Sequence, residues 1–154
     1  MNKRGATTGI CMLALLLLFG ASTCMLVAAG YGSFNRMTIL QDECLNTRVA
    51  MNYISMRMRR FDIKNAIRID DSSPKTRLVL SEDIDGEIYE TRIYLYNGYL
   101  QESFVPAATL FNEEYGLEII PLDSFVIKRE NKMIEIELSS GTNKRSIKLN
   151  LMSM

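Results

Sequence analysis

Apolar positions fall into three regimes along the 154 residues. From Gly5 to Asn35 no residue is charged. The strongly apolar part, Gly9 to Tyr31, matches the run of about 20 residues that a helix needs to cross a bilayer. Beyond it the apolar positions thin to a stripe. Met37, Leu40, Cys44, Thr47, Met51, Ile54, Met58 and Phe61 recur at 3-4 spacing, and all but Thr47 are apolar. That spacing predicts one face of a helix. No proline precedes Pro74, so span and stripe can form one helix, interrupted at most near Gly30 and Gly32.

Around Ala66 the period changes from helical to alternating, which predicts strands. Asn65 to Asp70 and Arg77 to Ser81 are the first two, with Leu78 and Leu80 on one face and the turn Asp71-Ser72-Ser73-Pro74 between them. Asp85-Gly86 is a hairpin signal ahead of "EIYETRIYLY", which is rich in β-branched and aromatic residues. Asn97-Gly98, the strongest two-residue hairpin signal in the chain, leads into Tyr99 to Val105. After a polar stretch at Asn112 to Gly116, three more strands are predicted at Ser124 to Arg129, Met133 to Leu138 and Ser146 to Leu151. Glu130-Asn131 and Ser140-Gly141-Thr142-Asn143 supply their turns. The expected class is α+β: a long N-terminal transmembrane and amphipathic helix packed on an antiparallel β-sheet. The division along the chain is 1–8 for a cytoplasmic end, 9–31 for the transmembrane helix, 32–64 for an amphipathic helix and 65–154 for the β domain.

The apolar run reads either as a retained anchor or as a removed signal. A signal core has about 7–15 apolar residues before a small-x-small site. Val27-Ala28-Ala29 fits such a site, but the run before it is longer than that core. The expectation is an anchor. Lys3 and Arg4 precede it, while Arg36, Asp42, Glu43 and Arg48 balance after it. This places the N-terminus in the cytoplasm and the rest outside. The stripe then has two readings, a packing face for the chain's own sheet or a seam with a neighbouring subunit. From about Thr47 onward the sheet is expected to cover it. Met37, Leu40 and Cys44 lie close to the span for a sheet beginning near Asn65 to reach, and are the candidate partner-facing residues.

Candidate chemistry is sparse. Lys+Arg and Asp+Glu both number 18, a balance that argues against nucleic acid as a partner. The chain has no His, which removes the usual acid–base group near neutral pH and the commonest zinc ligand. No phosphate-binding glycine loop, nucleophile elbow or CxxC pair is present. We expect no enzyme, no cofactor, no metal and no small-molecule substrate. Of the three cysteines, Cys11 and Cys24 fall in the apolar run and Cys44 outside it, so no disulfide framework exists. The acidic loop Glu82, Asp83, Asp85 and Glu87 is the best cation candidate, but it lacks calcium-loop spacing, and its Asp-Gly is explained by a turn. Arg48, Arg57, Arg59, Arg60, Lys64 and Arg68 make the helix end basic, while Glu82 to Glu118 holds nine acidic residues against Arg92 alone. These two charge sets suit either an internal helix–sheet pairing or a contact between subunits.

A short cytoplasmic end, a helix leaving the membrane and an antiparallel sheet behind it resemble a type IV pilin-like subunit. "NTRVAMNYISMRMRRFDIKNAI" is similar to the post-membrane helix of minor pseudopilins. "LVLSEDIDGEIYETRIYLYNGYLQESF" resembles the core of a clostridial-type domain-of-unknown-function family of single-pass membrane proteins. "FVIKRENKMIEIELSSGTNKRSIKLNL" resembles the terminal strands of that family and of competence-type minor pseudopilins. The resemblance implies a non-enzymatic envelope protein whose partners are the lipid bilayer and other pilin-like subunits. Pilin signals are cut after Gly, leaving Glu at the fifth mature position. Here cleavage after Gly5 or Gly9 places Ile10 or Ala14 there. An anchored binding or adapter domain outside any filament is the alternative.

Overall fold

The computed structural model describes residues 3–62, 66–71, 76–130 and 133–150, with side chains described from residue 7 onward. Two compact units divide the chain, Met1–Ile39 and Leu40–Met154. Helix α1 (Lys3–Arg60) supplies the described residues of the first unit and opens the second.

In the first unit the large apolar side chains are exposed, from Ile10 through Leu15 and Phe19 to Tyr31 and Phe34. This helix is long and apolar enough to cross a membrane. Two of its hydroxyls bond back to the helix itself. Ser22 Oγ donates to the Phe19 carbonyl at 2.8 Å, and Thr23 Oγ1 to the Gly20 carbonyl at 2.8 Å. Such back-bonding suits polar side chains to a hydrocarbon setting.

Among the described residues of the second unit there are eight strands, all paired antiparallel. Five make a meander in the order β1 (Ile67–Asp70), β2 (Arg77–Ile84), β3 (Glu87–Tyr96), β4 (Tyr99–Pro106) and β5 (Leu117–Pro121). Three make a second meander of β6 (Ser124–Glu130), β7 (Met133–Ser140) and β8 (Asn143–Asn150). Both two-residue hairpin signals hold. Asp85-Gly86 has φ of 55° and 87° between the pair Ile84 and Glu87, and Asn97-Gly98 has 48° and 79° between Tyr96 and Tyr99. Positive φ at both central residues is the type I′ geometry that matches strand twist. At the β7–β8 hairpin only Gly141 is positive, at 53°, as in a type II′ turn.

The expected α+β class, a long helix and antiparallel strands, holds, with two differences: the strands divide into two sheets, and β5 carries no signal in the alternation. "LEIIP" does not alternate, and it forms an edge strand on β4 that closes at Pro121, which has no N–H to continue a ladder. Immediately afterwards the Leu122 N–H donates to Gly98 and the Asp123 N–H to Ser139. The backbone therefore passes from one sheet to the other within two residues. Smaller differences are that α1 ends at Arg60 rather than 64, β2 runs on to Ile84, and β8 starts at Asn143 rather than Ser146. The Asp71–Pro74 turn beyond Asp71, Lys64, Asn131 and Leu151 lie outside the described residues.

One core joins the elements of this unit. Ala50, Ile54 and Met58 of α1 meet Leu78, Leu80, Ile93 and Leu100 of the first sheet and Ile127, Ile134, Ile136 and Leu138 of the second. Ile54 is fully buried, and truncating such a side chain to Ala costs about 2–5 kcal/mol.

Candidate interaction surface

Burial changes along the stripe, and Cys44 of the three candidate partner-facing residues is partly covered by the chain itself. Thr47, Met51, Ile54, Met58 and Phe61 are buried, Cys44 is half-buried, and Leu40 and Met37 are 49% and 62% exposed. Thr47, the one polar member, is satisfied. Its hydroxyl contacts the Glu43 and Cys44 carbonyls at 3.2 and 3.1 Å and Asn143 Oδ1 at 2.8 Å.

What reaches this level of the helix is the tip of the β7–β8 hairpin, an approach that strand patterning did not reveal. Glu43 Oε2 accepts from the Thr142 N–H at 2.9 Å and from its hydroxyl at 3.1 Å. The Gly141 N–H donates to Asp123 Oδ2 at 2.5 Å. Arg145 Nη2 lies 3.8 Å from Cys44 Sγ. A Cβ on Gly141 would collide with the Glu43 carboxyl group, so close approach as well as positive φ calls for glycine there.

About three turns further along, the opposed charge sets meet inside the fold. Arg57 Nη2 donates to Glu102 Oε1 at 2.7 Å, and the Tyr53 hydroxyl donates to the other oxygen of Glu102. The Arg57 guanidinium also lies 5.4 Å from the Tyr53 ring centre. Burial, and then the hydrogen bond to Glu102, push the Tyr53 phenol above its ordinary value. Burial alone would lower Arg57, but Tyr53 and Glu102 outweigh it and raise the guanidinium. An internal pairing of the two charge sets is thus present here, and Arg68 with Glu90 makes a second one. Arg48, Arg59 and Arg60 remain exposed on the helix.

On the face of the first sheet that looks away from α1, the loop after β4 is fastened through Phe111. Arg77 and Arg92 lie 4.5 and 5.1 Å from its ring centre, and Tyr94 meets it edge-on at 5.0 Å. Each guanidinium has a carboxylate. Arg92 pairs with Glu90 at 2.8 Å and Arg77 with Asp70 at 3.7 Å. Glu90 is also held by Arg68 at 2.6 Å. The arrangement anchors a loop and leaves neither of these two arginines free for an anion.

The acidic loop is a turn device. Asp83 Oδ1 accepts from the Gly86 N–H at 2.9 Å, and Asp83 and Glu82 point to opposite faces of their strand. Among the described residues no three His, Cys, Asp or Glu side chains gather to hold a metal ion. On the second sheet an open concavity of about 560 Å³ is lined by Ser124, Ser139, Lys144 and Ser146. There Ser124 and Ser139 hydrogen-bond each other at 2.6 Å.

Residues 45–141 match the model of a family described as a domain of unknown function, DUF4860. The chain belongs to this family. The DUF4860 match opens on α1 at Leu45, takes in both hairpins of the first sheet, and ends at Gly141, at the tip that meets Glu43. No curated protein and no solved structure matches the chain.

Proposed function

We propose that this DUF4860 protein is a membrane-anchored, non-enzymatic structural subunit of pilin-like kind. In this reading its N-terminus is cytoplasmic and its β domain extracytoplasmic. A helix of spanning length supports the anchor. Lys3 and Arg4 ahead of the uncharged run support the orientation. Within the second unit, packing of the rest of α1 on an antiparallel meander agrees with the pilin-like pattern. The observation that carries the assembly reading is the exposure of Met37 and Leu40 beside a stripe that is buried from Thr47 onward. Apolar positions on one helix face, just beyond a span, suit the helix of a neighbouring subunit.

The test uses the full chain in its native membrane, with Cys11, Cys24 and Cys44 replaced by Ser and a single Leu40→Cys added. Mild oxidation should give disulfide-linked dimers, and a cysteine at exposed Gln41 instead should give far fewer. Monomer alone from both would remove the assembly reading. It would favour the anchored adapter, which the residues at the fifth mature position, Ile10 or Ala14 in place of Glu, also support.

A further inference from the structure

The outermost strand of the second sheet, β8, has a neighbour on one side only. Its pairing with β7 decides which backbone groups are left over. Ser140 and Asn143 flank a two-residue turn and exchange both hydrogen bonds, and the pairs Leu138 with Arg145 and Ile136 with Ile147 do the same. Between them, Lys144, Ser146 and Lys148 turn their N–H and C=O groups away from β7. No other backbone group among the described residues meets those groups. A free edge of this kind accepts a further strand.

Cations stand on both faces of that edge. Lys144 is exposed on the face away from α1. Arg145, the next residue, turns to the face toward α1, where its Nη2 lies 3.8 Å from Cys44 Sγ. Its Nε is buried and has no hydrogen-bond partner. Cys44 lines an open hollow of about 180 Å³ together with Gln41, Leu45 and Arg48. Arg48 is exposed one turn along the helix from Cys44. None of Arg48, Lys144 and Arg145 takes part in an ion pair among the described residues. A half-buried guanidinium without a carboxylate is costly, and an incoming anion relieves it.

We infer that the β8 edge binds an extended segment of a partner polypeptide that carries two adjacent acidic residues. Alternation in the added strand turns one acid to each face. With the segment paired at Lys144 and Arg145, one carboxylate meets Lys144 and the other meets Arg145 and Arg48. Backbone hydrogen bonds to Lys144 and Ser146 hold the strand, and the charges fix its register. The β8 edge of a second copy does not fit. Antiparallel pairing centred on Ser146 sets Lys144 against Lys148, and like charges directly opposite are destabilising. This contact does not rest on the assembly reading and serves an anchored adapter equally well.

The experiment uses the full chain in detergent micelles and a fluorescein-labelled peptide, Thr-Val-Thr-Glu-Glu-Thr-Val-Thr, followed by anisotropy. Saturable binding is expected, and Gln-Gln in place of Glu-Glu should weaken it about tenfold or more. Methylating every backbone nitrogen of the peptide keeps its charges and should abolish binding. Ser146→Pro removes an N–H that β7 does not use, a change that an edge strand tolerates, and should weaken binding by about the same factor. K144E/R48E changes two exposed side chains, leaves the core intact, and should do likewise. Absence of saturable binding up to about 1 mM overturns the inference. So does equal binding of the Gln-Gln or methylated peptide, or equal binding by either variant. A chain with S146C and its natural cysteines replaced by Ser, forming disulfide dimers that excess peptide does not prevent, would put a second copy on the edge and overturn it as well. The Leu40→Cys dimer is read separately, so either result here leaves the assembly reading to its own test.

Discussion

Tyr53 shows how much a single side chain can carry that a pattern does not announce. The charge split was legible: a basic helix end and an acidic stretch from Glu82 to Glu118. That Arg57 and Glu102 would be the pair, with Tyr53 between them, was not, because a contact between residues so far apart in sequence depends on strand register. The pairing has a measurable signature. Burial and the Glu102 carboxylate favour the neutral phenol, and burial does the same for Tyr94, whose hydroxyl donates to the Glu113 carbonyl at 3.0 Å. A phenol whose folded value is raised contributes stability that is complete below the ordinary value of about 10 and is lost as pH rises through the folded value. In an absorbance titration at alkaline pH, Tyr53 and Tyr94 should ionise above the ordinary phenol value, with unfolding following. Glu102→Gln should bring Tyr53 forward while leaving part of its delay, since burial remains. An unchanged titration in Glu102→Gln would mean that the carboxylate does not hold the phenol.

At the scale of elements, hairpins were the most legible part, because their chemistry is local. Asn-Gly and Asp-Gly meet the positive-φ demand of type I′ turns wherever two strands flank them, and both form here. Gly98→Val places a β-branched residue at φ 79° and should destabilise the domain by about 1 kcal/mol or more, read as a lower melting temperature. β5 and the split into two sheets were not legible. A non-alternating edge strand carries little periodic signal, and the exchange of partners at Leu122 and Asp123 is written in no local motif. The Gly141 tip lies between these cases. Its turn was foreseen, but its seat on Glu43 was not. Gly141→Ala should therefore cost more than Gly98→Ala, since it adds a collision to the strain in φ. Glu43→Ala should cost about 1 kcal/mol through the two lost Thr142 hydrogen bonds. Adding Gly141→Ala to Glu43→Ala should cost less than Gly141→Ala alone, because the colliding group is gone. Strict additivity of the two in denaturant unfolding would count against the seat.

For the molecule as a whole, the decisive feature is the uncharged run at the N-terminus, and its fate separates two proteins. If it is removed after Ala29, the mature chain starts at Gly30 and has nothing to hold it at a bilayer. If it is kept, Cys11 and Cys24 stay with the protein. The physical difference is length. A signal core of about 7–15 residues is enough for recognition, whereas crossing hydrocarbon takes about 20. Gly9 to Tyr31 meets the longer requirement, and α1 is unbroken through it. Before Ala29 the same helix exposes Leu18 and Phe19, and beyond it Tyr31 and Phe34, to nearly the same degree. Apolar surface on both sides of the candidate site is what an anchor needs and a cleaved signal does not. Fractionated cells should therefore hold the protein in membranes that resist alkaline carbonate, and N-terminal sequencing of that fraction should begin before Gly9 or, after processing at a glycine, at Ala6 or Ile10. A chain that begins at Gly30 and is released by carbonate would remove the anchor, and with it every contact between subunits that depends on copies sharing one membrane.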